Sequence, residues 1–293
     1  MARAQPILPF ISAASGIATF SMMDAIMKGA SIATGVYSAL LLRCIFGTLL
    51  MLPVWLLSGA RWPARVVLRI HMLRSSVVAA MALLFFWGLV RLPIAEAIAL
   101  SFIAPLIALY LAAVLLGETI QPKAVIASLL GLTGVVIIVA ARIGSDALSE
   151  QSTWGIVAVL ASAVLYAWNL VLQRQQAQIA GPQEIALFQN LLVAAILGLA
   201  APWLLHWPGV AALRDIALAA ALAGISLLLL SWAYARAEAQ ALVPVEYTGF
   251  IWAALFGWLK FGEQVTLATL AGAVLIVIGS WIAARGPNEL TAL

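Results

Sequence analysis

The sequence predicts an all-α integral membrane protein, with ten transmembrane helices arranged as two inverted five-helix repeats. Three observations carry this reading. Of the 293 residues, 65% are hydrophobic and only 9% charged, and the mean hydropathy is +1.12. Soluble domains carry about 25% charged residues. Apolar runs of about 20 residues, the length that crosses ~30 Å of hydrocarbon, recur along the whole chain. Finally, the segment from Arg91 to Gly117-Glu118 recurs 145 positions later, from Arg236 to Gly262-Glu263. The same offset maps Asp24 onto Asn169, Lys28 onto Gln173 and Gly134 onto Gly279. Each unit holds an odd number of spans, so the second crosses the bilayer upside down, as an alternating-access carrier requires.

Gly, Pro and charge clusters divide the apolar sequence into spans. The first, 6–28, follows a short basic start and is too long for a signal peptide. It carries Asp24 and Lys28, one helical turn apart. The second, 35–57, holds Arg43 about nine residues in, roughly 13 Å below its end, and the single cysteine, Cys44. The third, 72–90, contains Phe85, Phe86 and Trp87. The fourth, 93–116, carries Glu96, Phe102 and Pro105, a bend or a packing kink, and closes on Gly117-Glu118. The fifth, 122–141, contains Gly131 and Gly134. In the second unit, 154–173 carries Tyr166, Trp168, Asn169 and Gln173, and 184–204 carries Gln189 and Asn190. The spans 214–234, 238–259 and 265–284 complete it. The two units fall at residues 1–146 and 147–293.

Short links make neighbouring spans antiparallel. With both termini in the cytoplasm, nine Lys and Arg residues, Arg74 among them, fall inside, and five, Lys28 among them, fall outside. That bias favours this orientation in a plasma (inner) membrane.

The repeat, the ten spans, and the closing Leu116-Gly117-Glu118 and Phe261-Gly262-Glu263 resemble the drug/metabolite transporter superfamily, EamA type. Each Gly-Glu is followed by Gly sixteen residues later, Gly134 and Gly279. The resemblance covers nearly the whole chain. It implies a secondary carrier of small metabolites, with helices one to four and six to nine around a central cavity and helices five and ten outside as supports. For the two glutamates themselves, the expected role is structural, a carboxylate accepting from the N–H groups that open the following helix.

Ionisable groups deep in a span are costly in lipid and should face a cavity or a partner. Asp24, Lys28, Arg43, Arg91 and Glu96 cluster in the outer half of the first unit. They are expected either to line the cavity and pair there, Asp24 with Lys28, or to lock helices one, two and four together. The second unit answers with neutral Asn169, Gln173, Gln189 and Asn190, suited to hydrogen-bonding a substrate or a neighbouring helix. Glu246 lies about eight residues into helix nine, roughly 12 Å from its end. Pro244 just before it frees a carbonyl, and the carboxylate could carry a coupling proton or hold an ammonium group. Phe85, Phe102, Trp168 and Tyr247 are expected in the cavity wall, where aromatic faces take an apolar chain or a cation.

The expected partners are a small-molecule substrate and the lipid bilayer, with proton coupling and a homodimer face through the small-residue stretches left open. The excess positive charge is read as topology signal, not nucleic-acid binding. No clustered metal ligands, nucleophile–base pair or phosphate-cradling loop is present, so no cofactor, metal or enzymatic activity is expected. An exporter of amino acids or related amphipathic compounds leads. Uptake of a larger nucleoside-like or vitamin-like metabolite stands second.

Overall fold

A computed structural model of the chain describes residues 7–59, 61–116, 122–143, 149–234, 236, 245 and 247–284. The fold is all-helical among them. The first unit contains α1 (Ile7–Thr34), α2 (Val36–Leu57), α3 (Arg65–Leu89), α4 (Ile94–Ser101), α5 (Ala104–Leu116) and α6 (Pro122–Ile143). The second contains α7 (Glu150–Ala177), α8 (Pro182–Gly198), α9 (Ala201–Leu204), α10 (Val210–Tyr234), α11 (Gly249–Phe261) and α12 (Leu267–Ala284). Five described helices, α1, α2, α3, α7 and α10, are single segments long and apolar enough to span a bilayer. The other expected spans appear as shorter apolar helices, and most of 238–248 lies outside the described residues.

Local chemistry explains where the helices depart from the expected spans. Helix α1 continues to Thr34 and stops at Gly35, whose φ of 82° favours glycine. Helix α3 starts at Arg65, directly after Pro63-Ala64 and seven residues ahead of the expected span, which places His71 well inside the helix. Helix α7 begins after Ser149, whose Oγ accepts from Ser152 N at 3.1 Å. The fourth span is broken between α4 and α5 at Phe102-Ile103. Pro105 has no N–H to offer the Ser101 carbonyl and its ring crowds that carbonyl, which ends α4. The seventh span breaks the same way between α8 and α9, ahead of Pro202.

Packing reproduces the sequence repeat. Helix α1 packs along α10, α3 along α7, α2 against α8 and α6 against α12. Shifting by 145 positions exchanges α1 with α7 and α3 with α10, so the first two pairs are images of one another. The same shift exchanges α2 with α8 and α6 with α12, so those pairs map onto themselves. A two-fold relation between the units, with its axis passing through the α2–α8 and α6–α12 contacts, produces this pattern. The result is two groups, α1/α10/α11 and α3/α4/α5/α7. Ser226 Oγ donates to Gly16 O at 2.7 Å inside the first group, and Ser162 Oγ to Met81 O at 2.9 Å inside the second.

Where α6 and α12 cross, small residues bring the backbones together. A Cβ on Gly134 would lie 2.5 Å from Gly272 O, and one on Gly272 2.6 Å from Gly134 O. No flexible side chain can move aside there. Gly134→Ala is therefore expected to destabilise the protein by about 1–3 kcal/mol in a detergent thermal-unfolding assay, the usual effect of overpacking. Gly198→Ala, where a Cβ meets nothing within 4 Å, should leave the transition in place.

Candidate functional site

One end of the bundle is closed by an ion pair. Lys28, near the end of α1, donates to Glu263 Oε1 and, at 2.6 Å, to the carbonyl of Leu92 between α3 and α4. The other carboxylate oxygen of Glu263 accepts from Ile94 N at 2.7 Å, at the first turn of α4. Glu263 thus caps a helix, as expected, but one belonging to the other repeat. The helix that follows it, α12, is capped by Thr266, which accepts from Thr269 N at 3.1 Å. Gly257 makes room for the carboxylate, since a Cβ there would lie 2.5 Å from Glu263 Oε2. Gly262 turns the chain at φ 67° to bring the glutamate back. The Lys28 ammonium also sits 5.1 Å from the centroid of Phe261.

These contacts correct the expected pairing of Lys28 with Asp24. The two hydrogen bonds to Leu92 and Ile94 join the α1/α10/α11 group to the α3/α4/α5/α7 group, and both depend on one ion pair. Glu96 is buried in the same cluster, where its charge acts on Lys28. Arg91 lies at the rim, donating to Trp87 O at 2.7 Å with its guanidinium 3.5 Å from the Trp87 ring.

Asp24 lies one turn further into the bundle and is 1% exposed. Its Oδ2 has no hydrogen-bond partner, and neither does the buried Nε of Arg43 on α2. No hydrogen bond or ion pair joins Asp24 to Arg43. A buried polar atom left unpaired costs about 1–3 kcal/mol. Ser31 Oγ on the same face of α1 is also unpartnered. Beyond them, Phe102 and Tyr247 meet edge to face, with centroids 5.3 Å apart and planes at 87°. The two are exchanged by the repeat, so their contact lies on the two-fold axis at the middle of the bundle.

The opposite end carries a different network. Arg74 is buried in α3, not in a cytoplasmic loop, 15 residues or about 22 Å along that helix from Leu89. Its Nε donates to Asn169 Oδ1 at 2.9 Å, its Nη2 to Gln173 Oε1 at 3.2 Å and its Nη1 to Gln176 Oε1. His71, one turn earlier, meets Gln176 and lies 3.0 Å from Glu184 of α8. These bonds stay within α3, α7 and α8. The amides expected as substrate contacts at Asn169 and Gln173 are therefore occupied by a cation of the first repeat unit.

The repeat-related polar stripes differ in exposure. On α1, Ser21, Asp24, Lys28 and Ser31 are all buried. Their images on α7 are Tyr166, Asn169, Gln173 and Gln176. Tyr166 is 38% exposed and Gln173 exposed, although Val159 and Ala163 on the same face are buried. Asn169 and Gln176 are buried like their images on α1, so Tyr166 and Gln173 are the two accessible members of the α7 stripe.

The remaining expected site residues are scattered. Trp168 shares an exposed face of α7 with Val157 and Val164, away from the polar stripe. Asn190 donates to Ala186 O at 2.9 Å and packs where a Cβ on Gly47 would lie 2.5 Å from its Oδ1, at the α2–α8 contact. Phe85 stacks edge-on to Phe86 at 5.3 Å and is half-buried. Glu246, Pro244, Gly117 and Glu118 lie outside the described residues. Among the described residues no cluster of His, Cys, Asp and Glu fits a metal ion.

Known proteins share this architecture. The model of the EamA-like transporter family matches twice, over residues 8–140 and 153–285. The pseudopaline exporter of Pseudomonas aeruginosa is 30% identical over 264 residues, spanning 89% of this chain and 90% of that protein. A riboflavin transporter of Rhizobium johnstonii is 29% identical over 75% of this chain and 70% of its own length. An S-adenosylmethionine uptake transporter of Rickettsia bellii is 24% identical over 80% of this chain and 79% of its own length. A solved crystal structure superposes with a TM-score of 0.65 at 22% identity, covering 94% of this chain and 96% of that one, which shows the shared fold.

The Lys28–Glu263 contact predicts a measurable coupling. Lys28→Met and Glu263→Gln should each destabilise the purified protein by about 3–5 kcal/mol, since each leaves a buried charge unpaired. The double variant should lose clearly less than the sum when thermal unfolding is compared across the four proteins. Additive losses would mean that the two groups do not interact.

Proposed function

Since the chain belongs to the EamA-like transporter family and is a small-molecule transporter of the membrane, we propose that it is a secondary carrier exporting amino acids or related amphipathic metabolites across the plasma (inner) membrane by alternating access. The observation that carries this reading is the two buried atoms of opposite charge left without a partner on neighbouring helices, Asp24 Oδ2 on α1 and Arg43 Nε on α2. A zwitterion complements them, with an ammonium on the Asp24 carboxylate and a carboxylate on the Arg43 guanidinium. The Phe102–Tyr247 pair offers an apolar surface beyond.

The sealed Lys28 end and the accessible α7 stripe correspond to a state open toward the cytoplasm, with both termini on that side. Substrate enters past Tyr166 and Gln173 and takes up the free valences of Asp24 and Arg43. Opening the far side separates the two helix groups, which requires Leu92 O and Ile94 N to leave Lys28 and Glu263. The ion pair can stay intact on its own group while both cross-bonds break, so no charge is stranded during the transition.

A second reading draws on the relatives. Carriers named for riboflavin and for S-adenosylmethionine uptake match much of the chain, which favours a larger vitamin-like or nucleoside-like compound moving inward. Flux into and out of proteoliposomes, run over a panel of labelled amino acids, vitamins and nucleosides with and without a pH gradient, separates the two. Export of a zwitterionic amino acid or a close derivative is expected. Flux of vitamins or nucleosides alone would replace it with the second reading.

Asp24→Asn should lower that flux at least tenfold while folded yield holds, because the amide fills the same space without the charge. Arg43→Lys should retain more transport than Arg43→Ala at equal yield. If yield falls in step with flux in all three, Asp24 and Arg43 are supports of the fold and not the binding site.

A further inference from the structure

The network around Arg74 contains a titratable pair that the transport reading leaves unused, and its donor and acceptor pattern fixes its protonation. Arg74 can only donate, so the Gln176 atom it meets must be Oε1. The other end of the amide, Nε2, then faces His71 Nδ1 and donates to it. His71 Nδ1 therefore holds a lone pair, and its proton sits on Nε2, 3.0 Å from a Glu184 carboxylate oxygen. The imidazole is fully buried and lies flat against Phe188, with centroids 5.2 Å apart and planes at 17°. Glu184 is partly exposed, giving the pair a route to water.

We propose that His71 and Glu184 form a proton-binding site whose occupancy is exclusive with the bond between Arg74 and Gln176. The balance is simple. One proton from solvent adds to the Nδ1 lone pair, while the Nε2–H stays on Glu184 and the pair gains one positive charge. Nδ1 is now a donor facing the donor end of Gln176. The amide must turn to offer Oε1 to His71, which aims its NH2 at the guanidinium and ends the bond to Arg74. A proton at the α3–α8 contact thereby removes one of the three bonds that hold Arg74 to α7. The groups facing the imidazole are Glu184 and Phe188 from α8, Gln176 from α7 and Arg74 from α3, while Trp55 of α2 and Trp62 reach only Phe188. Arg61, Arg65 and Arg69 are exposed nearby in sequence. The site lies on residues distinct from Glu246. Its role as a coupling site rests on the carrier reading, but its chemistry does not.

The chain has two histidines, so the test is direct. Full-length protein labelled with 15N-histidine and 15N-arginine, carrying His206→Gln to leave one imidazole, is titrated by NMR in lipid nanodiscs. At alkaline pH the His71 shifts should report the Nε2–H tautomer. On acidification the Arg74 guanidinium signal, assigned by its loss in Arg74→Lys, should shift with the same midpoint as His71. In Gln176→Met the imidazole should still take up a proton, but the Arg74 signal should no longer follow. An Nδ1–H tautomer at alkaline pH, an Arg74 signal that ignores the His71 titration, or one that still follows it in Gln176→Met would each overturn the proposal. The wild-type tautomer decides even if Gln176→Met fails to fold. A protein that passes these tests yet moves no solute in proteoliposomes would defeat the carrier reading and leave the relay standing.

Discussion

The contact on which the rest of the architecture turns is the ion pair between Lys28 and Glu263, 235 residues apart. In a low-dielectric interior two charges persist only when paired and hydrogen-bonded. Here the remaining valences go to the backbone of the other repeat, at Leu92 O and Ile94 N. A single electrostatic unit thus ties the two helix groups together at one end. Because both ties are backbone hydrogen bonds to an intact pair, they can break without stranding a charge. That is the requirement for a gate in a membrane.

The two halves share a scaffold and differ in chemistry. The α1 stripe is ionic, and its image on α7 is built of amides and a phenol. Arg74 fills the second stripe, while its image in α10 is the buried Ala219, so no cation fills the first. The first half is left with the unbonded Asp24 Oδ2 and Arg43 Nε, the second with a saturated network. Pseudo-symmetry brings the parts into register, and its breaking leaves unpartnered polar atoms on α1 and α2 and none among the described residues of their images α7 and α8.

Much of this was legible in the sequence. Composition and run length gave the membrane class, the 145-residue offset gave the inverted units, and Pro105 marked the break in the fourth span. The Asp24 and Arg43 neighbourhood followed from charges placed deep in spans. What periodicity could not supply was long-range pairing. Glu263 looked like a cap for the helix after it because local capping is the commonest use of a carboxylate at such a turn. Only the folded chain shows that the turn at Gly262 returns it to α4. Arg74, at the start of the third span, counted as a cytoplasmic-side charge because a cation near the start of an apolar run reads the same whether it snorkels to water or is buried against amides. A signal was present in Asn169, Gln173 and Gln176, which place three amides in one line on α7.

In the proposed carrier the Lys28 end is closed, and Tyr166 and Gln173 on α7 are reached from the cytoplasm. Single cysteines placed at positions 21 and 166, which the repeat exchanges, test it most directly in a Cys44→Ala background, using a membrane-impermeant maleimide on vesicles of each orientation. Ser21→Cys should be protected from both sides and Tyr166→Cys modified from the cytoplasmic side. Equal modification of the two, or modification of Ser21→Cys alone, would contradict it.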